Sequence, residues 1–346
     1  MKMQLPAERG PLSAGVVRAL SGASAIDVEA LVTRIRELSV ATDLMCDEDF
    51  QLALWTMYEL HYGGFEGVDE AWEWDPRLLR VRRELETLFE AELRRRTDEH
   101  VTAALAADGD VPARLFDLAE AIDGPSVARF VQRDASREQF EEFLVQRSIY
   151  HLKESDPSSW VIPRITGKPK AALVELLYDE YGAGRPDRLH ATMFADGLEA
   201  CGLDREYGAY IDQVPAYTLA VNNAMSLFGL HRRLRAAAMG HLGAFEATSS
   251  LPCRRFVSGI RRLGLPEKVA AYFDEHIEAD ALHEQLALRG ICAELVRQDG
   301  SLERGVFFGA AVCLYLDVLA GEHMLDAWQS GRTSLRDSDV DPEAVA

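Results

Sequence analysis

The chain has 346 residues, 48% of them hydrophobic and 27% charged, and a formal net charge of −20. So acidic a balance argues against nucleic acid and anionic membranes as partners, because both are bound through clustered Lys and Arg. Five scattered cysteines without CxxC spacing exclude a disulfide framework or a Cys-rich zinc site, and the length alone suffices to bury a core.

The N-terminus "MKMQLPAERG" has no apolar signal core, and the longest apolar stretch, Gly305 to Leu316, is too short to span a bilayer. A soluble, cytoplasmic protein is expected. Helical periodicity dominates and alternating strand patterns are nearly absent, which predicts an all-α fold. In chain order the predicted helices are Ile26–Leu38, Phe50–Tyr62, Pro76–Arg96, Val111–Ala121, Ser126–Gln132, Arg137–Lys153, Pro169–Tyr181 and Pro186–Leu203. Tyr217–Leu230, His231–Thr248, Cys253–Arg262, Pro266–Arg289 and Leu302–Gln329 follow. Between them stand local stops such as "YGGFEG", "ESDPSS" and "YGAGRP". Met1–Gly22 and Arg332–Ala346 read as frayed tails. A soft boundary near Asp134, where "QRDASREQFEEF" opens a fresh helix behind a serine cap, separates residues 1–135, a helical extension packed on the core, from a bundle over 136–330. Residues 331–346 read as a disordered tail.

The stretch "FDEHIEADALHEQLA" places His276, Asp280 and His283 at offsets of four and seven. On a helix those offsets return to nearly one azimuth, beside the apolar Val269, Tyr272, Phe273, Ile277 and Leu282. The triplet is either one wall of a metal site or the polar stripe of a solvated helix, which the neighbouring Asp274, Glu275, Glu278 and Glu284 would suit. A metal in a bundle takes ligands from facing helices. Three candidates stand out. Glu154 lies just ahead of the Asp156-Pro157 break, Glu180 ends an apolar-striped helix where the helix dipole disfavours a carboxylate, and His190 follows ten residues later. An exposed helix-end Glu and a satisfied core histidine are the plain alternatives. Together the six offer only O and N donors, a mixture that suits iron or manganese better than structural zinc. Six ligands fit two metals sharing carboxylates, and His276 and His283 are about 10 Å apart along the axis, far enough to serve different ions.

The order Glu…Glu…His…His-x3-Asp-x2-His resembles that of the haem-oxygenase-like diiron oxidases, often described only as iron-containing redox enzymes. The separations of 26, 10 and 86 residues along Glu154, Glu180, His190 and His276 match that pattern, as do the flanking "LKESDP" and "YDEYGAGRPDRLH". The resemblance covers about Arg137 to Gln329, and "ELHYGGFEGVDEAWEWDPRLLRVRRELE" resembles the N-terminal extension of bacterial members. It implies a haem-oxygenase-like helical bundle with two irons, dioxygen as co-substrate and no haem. One iron would take Glu154, His190 and one triplet histidine, the other Glu180, Asp280 and the remaining histidine. Some N-oxygenating members carry an extra carboxylate shortly before the His190 position, which makes Asp187 a candidate, although Asp after Pro186 is also ordinary first-turn chemistry. Glu246 and His151 are candidates for supporting the ligands.

Other chemistries are less well served. The Glu-x-x-His pairs of ferritin-like diiron proteins are missing, "YGAGRPD" follows a helix and not a strand, and neither His61 nor His100 has the context of a haem ligand. The resemblance implies an oxygenase acting on an amino acid or amine by N-oxygenation. Oxidative C–C cleavage or decarboxylation of an amino or fatty acid is the alternative, and a non-catalytic helical interaction protein is another. The expected partners are a small-molecule substrate and an external reductase or reductant, with a homodimer left open.

Overall fold

The computed structural model describes residues 2–38 and 42–336, without the side chains of residues 278–281, Asp280 among them. Its helices are α1 (Pro11–Leu20), α2 (Val28–Glu37), α3 (Glu48–Glu59), α4 (Pro76–Ala106), α5 (Val111–Ala121), α6 (Val127–Arg133), α7 (Arg137–His151) and α8 (Asp156–Ser159). After them come α9 (Gly167–Glu180), α10 (His190–Ala200), α11 (Ala216–Leu230), α12 (Arg235–Arg262), α13 (Glu267–Gln285), α14 (Glu294–Gln298) and α15 (Glu303–Gln329). Among the described residues only a single bridge, Met3 to Phe65, interrupts the all-α pattern.

The bundle is organised around α12 and α15, whose backbones almost touch. A Cβ built on Gly309 would stand 1.8 Å from the Ala237 carbonyl, and one on Gly240 would stand 1.9 Å from that of Val306. Glycine at both contacts, with Ala236 and Ala237 nearby, is what lets two long helices approach this closely. The stretch Gly300–Gln329 is apolar and long enough to cross a membrane by composition, but 61% of its 18-residue apolar window is buried inside the protein, as befits a central helix. One core cluster runs from Phe50, Tyr58 and Phe89 of the N-terminal helices into Phe228, Phe307 and Phe308 of the bundle. Ser136 and Gln139 form a reciprocal capping box that starts α7.

Several boundaries differ from the sequence reading. The first tail is not frayed: α1 buries Leu12, Val16 and Leu20, and Asp49 caps it by accepting from the Leu12 and Ser13 amides. The other tail is pinned at its start, where Ser334 is buried and bonds Gln146 and Glu142, while residues 337–346 lie outside the described residues. The α4 helix runs ten residues beyond Arg96, with Thr97, Val101 and Ala104 continuing its buried face. Pro252 does not break α12. Its missing amide takes the usual helical donor from the Thr248 carbonyl alone, and one turn earlier the Thr248 and Ser249 hydroxyls donate to the Ala244 and Glu246 carbonyls. Beyond Gln285 the triplet helix widens into π geometry over Leu286–Ala293, a form that often accompanies functional sites.

Candidate metal centre

The site is assembled by two short connections and one helix. Past the end of α7 the chain turns through residues 152–155, so Glu154 lies in the turn and not at the helix terminus, and there its carboxylate faces inward and is buried. At the end of α9 comes "YGAGRP", where Gly182, Ala183 and Gly184 all take positive φ (71°, 52° and 80°). A Cβ at Gly182 would lie 2.6 Å from the Arg188 carbonyl carbon, so only glycine allows the chain to fold back there. This reversal brings His190, the first residue of α10, back to Glu180, the last residue of α9, with Nδ1 3.1 Å from the carboxylate. Asp187 sits in a separate turn before α10 and is exposed, outside the helix Pro186–Leu203 that the sequence predicts to carry it together with His190.

From the third side α13 supplies His276 and His283. Ligand-type atoms of Glu154, Glu180, His190 and His276 all lie within 4.8 Å of one another, and so do those of Glu180, Glu246 and His283. Both groups are buried, and Glu180 belongs to each. Asp280 cannot be placed in either, since its side chain lies outside the described residues. Glu246, read from sequence as a supporting group, stands instead among the inner carboxylates, 3.6 Å from His283 Nδ1. Its α12 position five residues after His241 gave no pattern with the triplet, so sequence carried little signal for this.

Hydrogen bonds leave these donors ready for a cation. His276 Nδ1 is 2.8 Å from the Tyr272 carbonyl and donates to it, which leaves Nε2 free, 3.7 Å from Glu154. Both ring nitrogens of buried His283, and Nδ1 of His190, make no well-aligned hydrogen bond among the described residues, although carboxylates of Asp179, Glu180 and Glu246 stand 3.1 to 3.6 Å from them. Buried polar nitrogens in that condition are costly unless something fills the space between them and the carboxylates. The outer contacts are equally ordered. The Tyr272 hydroxyl lies 2.8 Å from both oxygens of Glu154 and 2.6 Å from His151 Nδ1, and His151 is 3.2 Å from Glu154. Ser155 donates to Glu180 at 3.1 Å. Sequence patterning counted Tyr272 only as apolar core; its i−4 relation to His276 was the available clue.

Without metal the site is strongly polarised. Burial would lower His276 and His283, but carboxylates outweigh it: Glu154 chiefly raises the first to about 10, and Glu246 chiefly raises the second to about 9. Burial opposes ionisation of Glu154 as well, yet His151 and His276 hold its carboxyl well below the usual range. Burial pushes Glu246 up. Next to Glu154, Glu180 and Glu246 opens a cavity walled by side chains such as Leu176, Met225, Phe228 and Phe245.

A family model described as "iron-containing redox enzyme" matches residues 141–318, just over half of the chain. Among curated proteins, a nitrosourea synthase from Streptomyces achromogenes subsp. streptozoticus is 28% identical over 186 residues, covering 54% of this chain. The matched part spans 40% of that relative's length.

Proposed function

Since this chain belongs to the iron-containing redox enzymes and is an iron-dependent oxidoreductase, we propose that it is a non-haem diiron oxygenase acting on a small amine-type or amino-acid substrate. The observation that carries the reading is the pair of buried ligand groups sharing Glu180. Glu154, His190 and His276 would hold one iron and His283 and Glu246 the other, with Glu180 common to both. Asp280, one turn before His283, completes the set by the sequence pattern. Asp187 is left out because of its exposure.

When bound, the two ferrous ions would activate dioxygen and supply the oxidising power. The chain's own residues do the rest. Tyr272 and His151 hold the Glu154 carboxylate, and Ser155 does the same for Glu180. The Tyr272 carbonyl engages His276 Nδ1, so that Nε2 is the atom that would be offered to a metal. The apolar walls exclude water and position a substrate against the carboxylate face.

N-oxygenation is favoured over C–C cleavage because the relative's name, nitrosourea synthase, describes chemistry at nitrogen. Anaerobic loading with Fe(II), followed by oxygen and mass spectrometry over a panel of amines and amino acids, tests this. A product heavier by one oxygen on nitrogen supports the reading. Alkene or shortened-chain products would instead favour C–C cleavage.

A further inference from the structure

The cavity beside the carboxylates contains a polar group for which the metal reading has no use. His241 lies on α12, lines the cavity and is buried, and its Nε2 has no hydrogen-bond partner among the described residues. Its ring meets Phe228 edge-on, with centroids 6.3 Å apart. Burial pushes its pKa down to about 4, only weakly opposed by Asp317, so the imidazole is uncharged at neutral pH. An unpaired buried nitrogen in the cavity wall calls for a partner from whatever enters it.

The cavity wall has a second property. Leu176, Met225, Phe228, Leu242 and Phe245 make its apolar part, the hydroxyl-bearing Tyr150, Ser155 and Ser158 add polarity, and no Lys or Arg among the described residues lines it. A substrate carboxylate held beside His241 would have no Lys or Arg to face there.

We propose that His241 determines specificity in this cavity: its imidazole hydrogen-bonds one uncharged polar group of the substrate, whose remaining buried part is aliphatic and carries no carboxylate. This rests on reading the cavity as the substrate site, and within the function proposed above it selects an amine-type molecule over a free amino or fatty acid. The polar atom held by His241 fixes how far the chain enters, and so which atom is presented to the carboxylate face.

Calorimetric titration of the Fe(II)-loaded protein under argon with hexanamide, hexan-1-ol and hexanoate compares one chain with three head groups. The two uncharged probes bind wild type at least about tenfold more tightly than hexanoate. His241→Leu weakens hexanamide by about tenfold, the scale of one buried hydrogen bond, while His241→Gln keeps most of the affinity. Hexanoate binding as tightly as hexanamide, unchanged hexanamide affinity in His241→Leu, or no binding of any of the three overturns the proposal. Should His241→Leu not fold, the wild-type series and His241→Gln decide it. Iron content in the same samples separates the two readings. A chain that takes up no iron refutes the metal centre, whereas the same series without metal still tests the cavity.

Discussion

Replacing Tyr272 by Phe removes one oxygen and keeps the ring. That ring packs against Phe194, Phe273 and His276 at centroid distances of 5.1, 5.1 and 4.4 Å, all contacts that Phe retains. The lost hydroxyl lies 2.8 Å from both Glu154 oxygens, so an ionised ligand loses its neutral donor. Hydrogen bonds to charged groups are worth about 1.5–3 kcal/mol. Outer partners of metal ligands typically change affinity by roughly 10–100-fold, which is the same range. The effect should fall on one ion only, because Tyr272 touches Glu154 and not Glu180, Glu246 or His283. Stepwise anaerobic Fe(II) titration of Tyr272→Phe is therefore expected to show one step weakened by about 10–100-fold and the other nearly unchanged. Both steps within about twofold of wild type would refute the idea that this hydroxyl organises the Glu154 side.

Other outcomes follow from the same geometry. In the metal-free protein His276 and His283 are raised to about 10 and 9. Groups raised in this way stabilise fully below the unfolded value of about 6.5 and lose that contribution as pH rises through the folded values; melting temperature of the metal-free chain should thus fall between pH 7 and 10, and a rise would contradict the charged histidines. Buried Lys153 pairs with Glu59 of α3 and lies 4.2 Å over the Tyr62 ring, right beside Glu154. Lys153→Met strands the Glu59 charge and should destabilise by about 3–5 kcal/mol, measurable by urea unfolding; a change under about 1 kcal/mol would show the pair to be weak. Gly309→Ala forces a methyl into the Ala237 carbonyl and should cost at least about 1–3 kcal/mol, read as a lower melting temperature, whereas an unchanged one would mean that α12 and α15 can part freely.

Much of the architecture could be read from residue order because it depends on local physics. Helix periodicity and stop signals placed most elements, and the turn between Glu180 and His190 was marked by its glycines. Glu154, Glu180, His190, His276 and His283 are brought together by backbone turns that the sequence announces. What escaped depended on tertiary partners. Residues 1–22 look unstructured until Asp49 caps α1, and Pro252 looks like a stop although α12 continues through it. Glu246 comes to His283 only through the packing of α12 on α13, a relation invisible at a separation of 37 residues. For Asp187 the error was one of phase: treating Pro186–Leu203 as one helix aligned it with His190, and the break at Leu189 removes that alignment.

A diiron centre requires two irons per chain and a carboxylate shared between them. Anaerobically loaded wild type is expected to bind two Fe(II) per chain, and Glu180→Ala, which removes the one side chain common to both ligand groups, is expected to retain one or none. Wild type binding less than one iron, or Glu180→Ala keeping two, would contradict a diiron centre built on Glu180.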